Sequence, residues 1–265
     1  MESSAGTDSR SRWSTEGLSV LKIPFPKKKV SRAVAMQELA ILEGAYPNAV
    51  TALHYSNAFE LLVAVVLSAQ NTDARVNLTT PVLFKKYPTP QKLARARPED
   101  VEQIIRSCGF FRTKTRSIIN ASKQLMELHG GNVPRTREEL EALPGVGRKS
   151  ANVIMSVVFE QAAFAVDTHV FRVAHRLGLT LGKNPREVES DVTKVVPKEK
   201  WRHAHHWLIL HGRSICKAPI PHCGECPVNA ICPTPPIVRR FRTLKTKAGP
   251  AGRGVRAAAT RRPAR

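Results

Sequence analysis

Acidic residues are scarce in this chain of 265 residues: 21 Asp and Glu stand against 42 Lys and Arg, which gives a formal net charge of +21. Such an excess of positive charge is typical of proteins that bind a polyanion, most often nucleic acid. A merely solvated basic surface is the alternative. Residues 1–30 carry +3 and residues 239–265 carry +10, which leaves +8 on residues 31–238. The central part of the chain is therefore basic in its own right.

Large apolar residues are few at both ends of the chain and long apolar runs are missing throughout. Residues 1–30 and 237–265 have the polar, Gly- and Pro-containing composition of disordered tails, and the basic second tail is expected to add salt-sensitive DNA affinity. The longest apolar run, residues 61–67, is too short to span a bilayer, and no secretion signal opens the chain. We therefore expect no membrane association and an intracellular location, where cysteines stay reduced.

Hairpin signals of the Asn-Gly or Asp-Gly type are also absent, which argues against a β protein. The apolar stretch 59–68 fits a buried strand or a helix by periodicity alone. Helix is favoured because the neighbouring segments are helical, beginning with one that Ser31 is placed to cap. The chain is thus predicted to be all-α over about residues 31–212. Further helices are predicted over residues 76–86, 99–106, 112–129, 137–142, 148–160, 168–177, 186–196 and 201–211.

Four of the five cysteines fall close together after the last of these helices. Cys216, Cys223, Cys226 and Cys232 follow the spacing C-x6-C-x2-C-x5-C. In a reducing compartment such thiols favour metal binding over disulfides, and four sulfur ligands suit either zinc or an iron–sulfur cluster. Spacing alone leaves both open. Cys108 stands alone and is interpreted as a packing residue.

The segment LPGVGRK separates two predicted helices and predicts a helix–hairpin–helix. Its glycines allow a sharp turn and close approach to a ligand, and the free amides at the start of the second helix suit a phosphate. Such a hairpin holds the DNA backbone without reading sequence. An ordinary helical hairpin is the alternative. The candidate DNA-contacting residues are Leu143, Gly145, Val146, Gly147 and Arg148.

Lys149 lies in the first turn of the second hairpin helix. The positive end of the helix dipole and the adjoining Arg148 disfavour a cation there, which favours a nucleophilic amine. A plain phosphate contact is the alternative. Further along, Asp167 precedes a helix that begins at Thr168, where its carboxylate can cap the helix, serve chemistry, or do both.

These pieces resemble a known family in their order and spacing. The segments LLVAVVLSAQNTD, LPGVGRKSANVIM, AVDTH and HHWLILHGR, with the four-cysteine loop, are similar to endonuclease III, a family of DNA glycosylases and abasic-site lyases. The resemblance covers about residues 33–235. It implies an all-α fold with a six-helix barrel domain over residues 58–168. Residues 31–57 and 169–236 would form a helical iron–sulfur cluster domain.

The resemblance also implies a chemistry. Lys149 would attack C1′ of the sugar, expel the damaged base and cleave the strand by β-elimination, with Asp167 stabilising positive charge on the sugar. The four cysteines would hold a [4Fe–4S] cluster. The implied partner is double-stranded DNA with abasic sites or damaged bases, oxidised pyrimidines above all. The protein would act as a monomer on the nucleoid of a bacterial cytoplasm.

A base flipped out of the stack leaves a gap that a side chain must fill. By resemblance the candidates are Gln70 and Phe110, the second standing where the family has an aliphatic residue; a core aromatic is the alternative for Phe110. Two rival functions remain at this point. One is an adenine-specific mismatch glycosylase, which lacks the hairpin lysine, and the other is a non-enzymatic DNA-binding protein. The histidines of HAHHWLILHGR are interpreted as packing and capping residues rather than metal ligands.

Overall fold

The computed structural model describes residues 23–247, and within them the all-α prediction is confirmed, because helices are connected by loops and no strand is present. Two short 3-10 helices, Lys198–Lys200 and Cys223–Glu225, add to the α-helices. The α-helices are α1 Arg32–Ala45, α2 Ala58–Ser68, α3 Asp73–Lys86, α4 Pro90–Ala94, α5 Pro98–Ile105, α6 Phe111–Leu128, α7 Arg137–Ala142, α8 Arg148–Val157, α9 Thr168–Arg176, α10 Pro185–Val195, α11 Trp201–Ser214 and α12 Thr234–Lys247.

Local sequence explains where most of these helices begin. Seven of them follow a Ser, Thr, Asn or Asp whose side chain accepts a hydrogen bond from a backbone amide three residues on. Each such cap contributes about 0.5–2 kcal/mol and fixes the first turn. The capping residues are Ser31, Asn57, Thr72, Thr89, Thr136, Asp167 and Asn184.

The buried apolar residues form two clusters. In the first, α2 is the central element: Glu60 is its only residue between Phe59 and Leu67 that is not buried, and α3, α6 and α8 pack against it. A helix enclosed on all sides has no polar face, which is why its periodicity resembled that of a buried strand. Each large apolar side chain buried here contributes about 1.5–3 kcal/mol.

The second cluster lies on the other side of the molecule. It is formed by α1, α9, α10 and α11 together with the cysteine loop that follows α11. The boundaries predicted for two domains, residues 58–168 against the remainder, stay a prediction. No helix in the described part of the chain is long and apolar enough to cross a membrane.

The structure describes part of each tail that the sequence predicts to be disordered, and those parts are folded. Residues 23–30 pack against the second cluster: Ile23 is buried, Phe25 stacks on His175, and the Val30 amide donates to the Gly178 carbonyl. These few apolar contacts hold a segment whose composition is otherwise that of a tail.

At the other end, residues 237–247 belong to α12 although their composition is that of a basic tail. The helix is anchored at its start, where the buried Thr234 hydroxyl donates to the Arg176 carbonyl at 2.6 Å and Val238 is buried. Residues 1–22 and 248–265 lie outside the described residues, so the prediction for them stays a prediction.

Candidate active site and cysteine loop

Two glycines shape the turn between α7 and α8. Gly145 has φ +84°, and a Cβ there would lie 2.8 Å from Ser117 Cβ and 3.2 Å from Val66 Cγ1, so both conformation and packing require glycine. A Cβ at Gly147, by contrast, would meet nothing within 4 Å. Gly147 precedes α8 without a side-chain cap, so the first amides of α8 have no intrahelical partner. The hairpin therefore offers a backbone site suited to a phosphate.

Leu143 and Val146 shape the hairpin from the inside. Both side chains are buried in the first cluster, and the Val146 amide donates to the Leu143 carbonyl at 3.0 Å. Their side chains therefore anchor the turn from within the protein. The expected contact of Leu143 and Val146 with DNA stays a prediction.

Arg148 makes an ion pair that its position in the sequence does not predict, and its expected contact with DNA stays a prediction. Its Nε and Nη2 donate to the two carboxylate oxygens of Glu189 on α10 at 2.8 and 3.0 Å. This two-point ion pair, more than the nearby Glu141, raises the pKa of the Arg148 guanidinium. The side chain thus ties the hairpin to the second cluster, and Glu189 compensates the charge that was expected to act on Lys149.

Lys149 and Asp167 line one cavity of about 80 Å³ between the two clusters. Asp167 Oδ1 accepts from the Val170 amide at 2.8 Å, so the residue caps α9. The cap uses one carboxylate oxygen and is therefore compatible with chemistry at the other.

The far wall of this cavity comes from α11. His205 and His206 are buried with their rings 3.9 Å apart, and burial lowers the pKa of His205 well below its usual range and that of His206 to about 4. Both rings are therefore neutral near pH 7. Across the cavity, Arg213 pairs with Asp73 of α3 at 2.9 Å. Arg213 and Asp73 lie in the segments HGR and NTD, and no sequence pattern predicts that they pair.

Gln70 and Phe110 lie at two exposed loop tips, the first after α2 and the second just before α6. Phe110 is 65% exposed, which excludes the core-aromatic alternative. Both residues are in the left-handed backbone region, with φ of +58° and +57°. Sequence reasoning missed Asn71, whose side chain connects the two loops, because a single asparagine in a loop gives no signal.

The four cysteines of the loop surround one small cavity, which Arg176 and His211 also line. Burial raises the pKa of the Cys226 thiol to about 11 and that of the Cys232 thiol to about 12, and the neighbouring cysteines add to both shifts. Cys108, by contrast, is buried with its thiol near the Thr79 hydroxyl, as expected of a packing residue.

Arg176 organises the backbone of this loop. It is buried, and its guanidinium donates to the carbonyls of Lys217 at 2.7 Å and Pro219 at 2.8 Å. Its Nη1 also lies 3.6 Å from Cys216 Sγ, and His211 Nε2 lies 3.5 Å from Cys226 Sγ. Such N–H groups around sulfur ligands suit an anionic metal centre.

The spacing of the sulfurs bears on which centre fits. A single zinc ion needs four sulfurs about 2.3 Å from one point. Among residues 23–247, no three Cys, His, Asp or Glu side chains converge closely enough to hold one metal ion. The cysteines instead enclose a shared space without meeting at a point. Four thiols lining one space, with an Arg176 N–H beside one of them, are a donor set that fits a sulfur-ligated metal centre.

Comparison with known proteins agrees with this geometry. Residues 63–198 match the HhH-GPD superfamily of base excision DNA repair proteins. The chain is 50% identical to Endonuclease III of Bacillus subtilis over 188 residues, which are 71% of this chain and 86% of that protein. It is 43% identical to Endonuclease III of Escherichia coli strain K12 over 203 residues, covering 77% of this chain and 96% of that protein.

Solved structures give the same result. A trapped Endonuclease III–DNA covalent intermediate matches with a TM-score of 0.76 at 44% identity, covering 80% of this chain and all of that one. A non-covalent Endonuclease III–DNA complex matches with the same TM-score and identity, covering 99% of that chain. A thermostable thymine-DNA glycosylase, at 20% identity and a TM-score of 0.70, shares the fold alone.

Proposed function

The chain belongs to the endonuclease III family of base excision repair proteins, and it is a DNA glycosylase and abasic-site lyase. We propose that Lys149 and Asp167 carry out its chemistry. The observation that supports this assignment is that the two side chains line one cavity between the clusters, directly after the hairpin whose amides suit a phosphate. The matched relatives are endonuclease III proteins, which favours this function over an adenine-specific mismatch glycosylase.

Lys149 is the proposed nucleophile. Its amine attacks C1′ of the sugar, so that the new N–C1′ bond forms while the glycosidic bond breaks and the base leaves with the electron pair and takes up a proton. The sugar ring then opens to a Schiff base between Lys149 and C1′. The Schiff base acidifies the C2′–H, a base removes that proton, and the C3′–O bond breaks with phosphate as the leaving group.

Asp167 is the proposed charge-stabilising partner. Positive charge develops on the sugar as the glycosidic bond breaks, and a carboxylate fixed in a partly closed cavity stabilises it more than water does. The cap to the Val170 amide holds the carboxylate in position without consuming both oxygens. The neutral, buried rings of His205 and His206 add no competing positive charge to the wall.

The hairpin amides around Gly145 and Gly147, with the backbone of Leu143, Val146 and Arg148, are the proposed contact to a DNA phosphate. Gln70 and Phe110 are the proposed residues that enter the gap beside a flipped nucleotide. The proposed substrates are double-stranded DNA with abasic sites and with oxidised pyrimidines, acted on by a monomer in a bacterial cytoplasm.

The four cysteines are the proposed ligands of a [4Fe–4S] cluster. When bound, the cluster supplies order to a loop that has little apolar core of its own and takes no part in bond cleavage. Arg176 and His211 hold the loop's carbonyls and sulfurs in place around it.

Strand cleavage with a panel of duplexes tests this function. The panel contains an abasic site, an oxidised pyrimidine, and adenine opposite 8-oxoguanine. We expect cleavage at the first two and its loss in the Lys149→Gln variant. Excision of adenine without strand cleavage would favour the mismatch glycosylase, and binding without excision or cleavage would favour a non-enzymatic DNA-binding protein.

A further inference from the structure

Asn71 joins the two exposed loops that the proposed function assigns to the gap beside a flipped nucleotide. Its side-chain Nδ2 donates to the Leu67 carbonyl at the end of α2 at 2.7 Å. Its Oδ1 accepts from the Gly109 amide at 2.9 Å, a bond between positions 38 residues apart in the sequence. One side chain therefore links the tip that carries Gln70 to the tip that carries Phe110.

Both tips need such support. Residues other than glycine rarely adopt positive φ and keep it only where their surroundings hold them there. The Phe110 ring is largely exposed, so packing of the ring does not hold its backbone. The Gly109 amide is immediately adjacent, and its bond to Asn71 restrains the residue before Phe110. Gln70 precedes Asn71 directly and is restrained from the same side chain.

Lys114 strengthens the same connection from within the protein. Its buried Nζ donates to the carbonyls of Leu67 at 2.8 Å and Ala69 at 2.6 Å, both within the three residues before Gln70. Its own amide donates to the Phe110 carbonyl at 3.0 Å, in the first turn of α6. Lys114 thus fixes the bases of both loops, whereas Asn71 joins their outer parts.

We propose that Asn71 is a positioning residue that makes Gln70 and Phe110 a single two-part wedge, so that both side chains enter the opened duplex together. The inference rests on the proposed function, which supplies the gap that the wedge fills. Two loops ordered in advance lose less conformational freedom on binding than two that order separately. The restraint matters for Phe110 because a flat ring stacks between bases in only a narrow range of orientations.

The test compares two substrates that differ only in their need for a wedge. One is a duplex with a single abasic site, and the other is the same strand without its complement, which leaves no opposite base to displace. We expect Asn71→Ala to lower the ratio of cleavage rates, duplex over single strand, about fivefold, the value of one ordinary hydrogen bond. A purely structural loss would lower both rates together and leave the ratio unchanged.

Asn132→Ala is the matched control. Asn132 is also a loop asparagine, and its side chain makes one local bond, to the His129 carbonyl. It follows the far end of α6, about 27 Å along the helix axis from Phe110. It should keep the wild-type ratio. Asn71→Asp retains the acceptor for the Gly109 amide but loses the donor to the Leu67 carbonyl, so its ratio should lie between those of the wild type and Asn71→Ala. Its added negative charge weakens binding to both substrates, which are both polyanions.

A mutant cycle supplies a second readout. In the wild-type background, Gln70→Ala and Phe110→Ala should together lower the ratio by less than the product of their separate effects, because they disable one unit. In the Asn71→Ala background the two effects should multiply. An unchanged ratio in Asn71→Ala, or effects that multiply in the wild-type background, would overturn the inference while the proposed function stands. Failure of the wild-type protein to cleave either substrate would instead overturn the proposed function.

Discussion

Glu38 on α1 carries a carboxylate that the fold accommodates poorly. It is fully buried, and neither carboxylate oxygen has a hydrogen-bond partner among residues 23–247. Burial raises its pKa from 4.5 to about 8. The buried face of the same helix is otherwise apolar, with Ala35, Leu39 and Leu42. We therefore predict that Glu38→Leu stabilises the protein, by an amount that grows with pH.

The size of the effect follows from the pKa. Below pH 4.5 the carboxyl is protonated in the folded and the unfolded chain, so ionisation of Glu38 has no effect on stability. Between pH 4.5 and 8 the unfolded chain ionises while the folded protein stays protonated, and folding loses about 1.4 kcal/mol per pH unit. The loss reaches at most about 5 kcal/mol above pH 8 and is about 3 kcal/mol at pH 7.

The assay is the free energy of unfolding in urea for Glu38→Leu and wild type, compared at matched cluster content below pH 4.5 and above pH 8. The advantage of the variant should widen by several kcal/mol across that range. Glu43→Gln is the control, because Glu43 is on the same helix but only partly buried and is paired with Lys200. Its effect should stay below about 1 kcal/mol. An advantage of Glu38→Leu that does not change with pH would refute the reasoning.

Three further predictions concern the site. Gly145→Ala should destabilise the fold by about 1–3 kcal/mol, because its Cβ would strike Ser117 at positive φ. Gly147→Ala meets no neighbour and should lower the melting temperature less, while it weakens binding of abasic-site DNA in a gel-shift titration. Asp167→Asn should keep the α9 cap and DNA affinity yet lose about 100-fold in single-turnover base excision; excision near the wild-type rate would reduce Asp167 to a cap. Cys232→Ser should lose iron and the visible iron–sulfur absorption, and a colourless, zinc-containing wild-type protein would contradict the cluster.

The sequence predicts the helices well where apolar periodicity is strong. α7 has the predicted bounds, and α2 is a helix as expected despite its uniformly apolar composition. α4 was missed, since five residues are too few to establish a period. α12 was missed for another reason: its basic composition resembles a tail, and only tertiary contacts such as that of Thr234 with Arg176 fix its start.

The candidate site divides in the same way. Residues whose role depends on local backbone, such as Gly145 and Asp167 as a cap, could be predicted from their spacing. Partners distant in sequence could not, which is why Glu189 was not seen to neutralise Arg148. The cross-loop bond of Asn71 was missed for the same reason, because no periodicity or motif predicts which loops meet.

The central claim is that Lys149 forms a covalent bond to the sugar. Borohydride reduction of the protein mixed with abasic-site duplex tests it most directly, because reduction converts a Schiff base into a stable protein–DNA adduct. We predict an adduct for the wild type, its absence in Lys149→Ala, and its retention in Lys123→Ala, which removes a lysine on α6 outside the cavity. An adduct of undiminished yield in Lys149→Ala, or none in the wild type, would contradict the account.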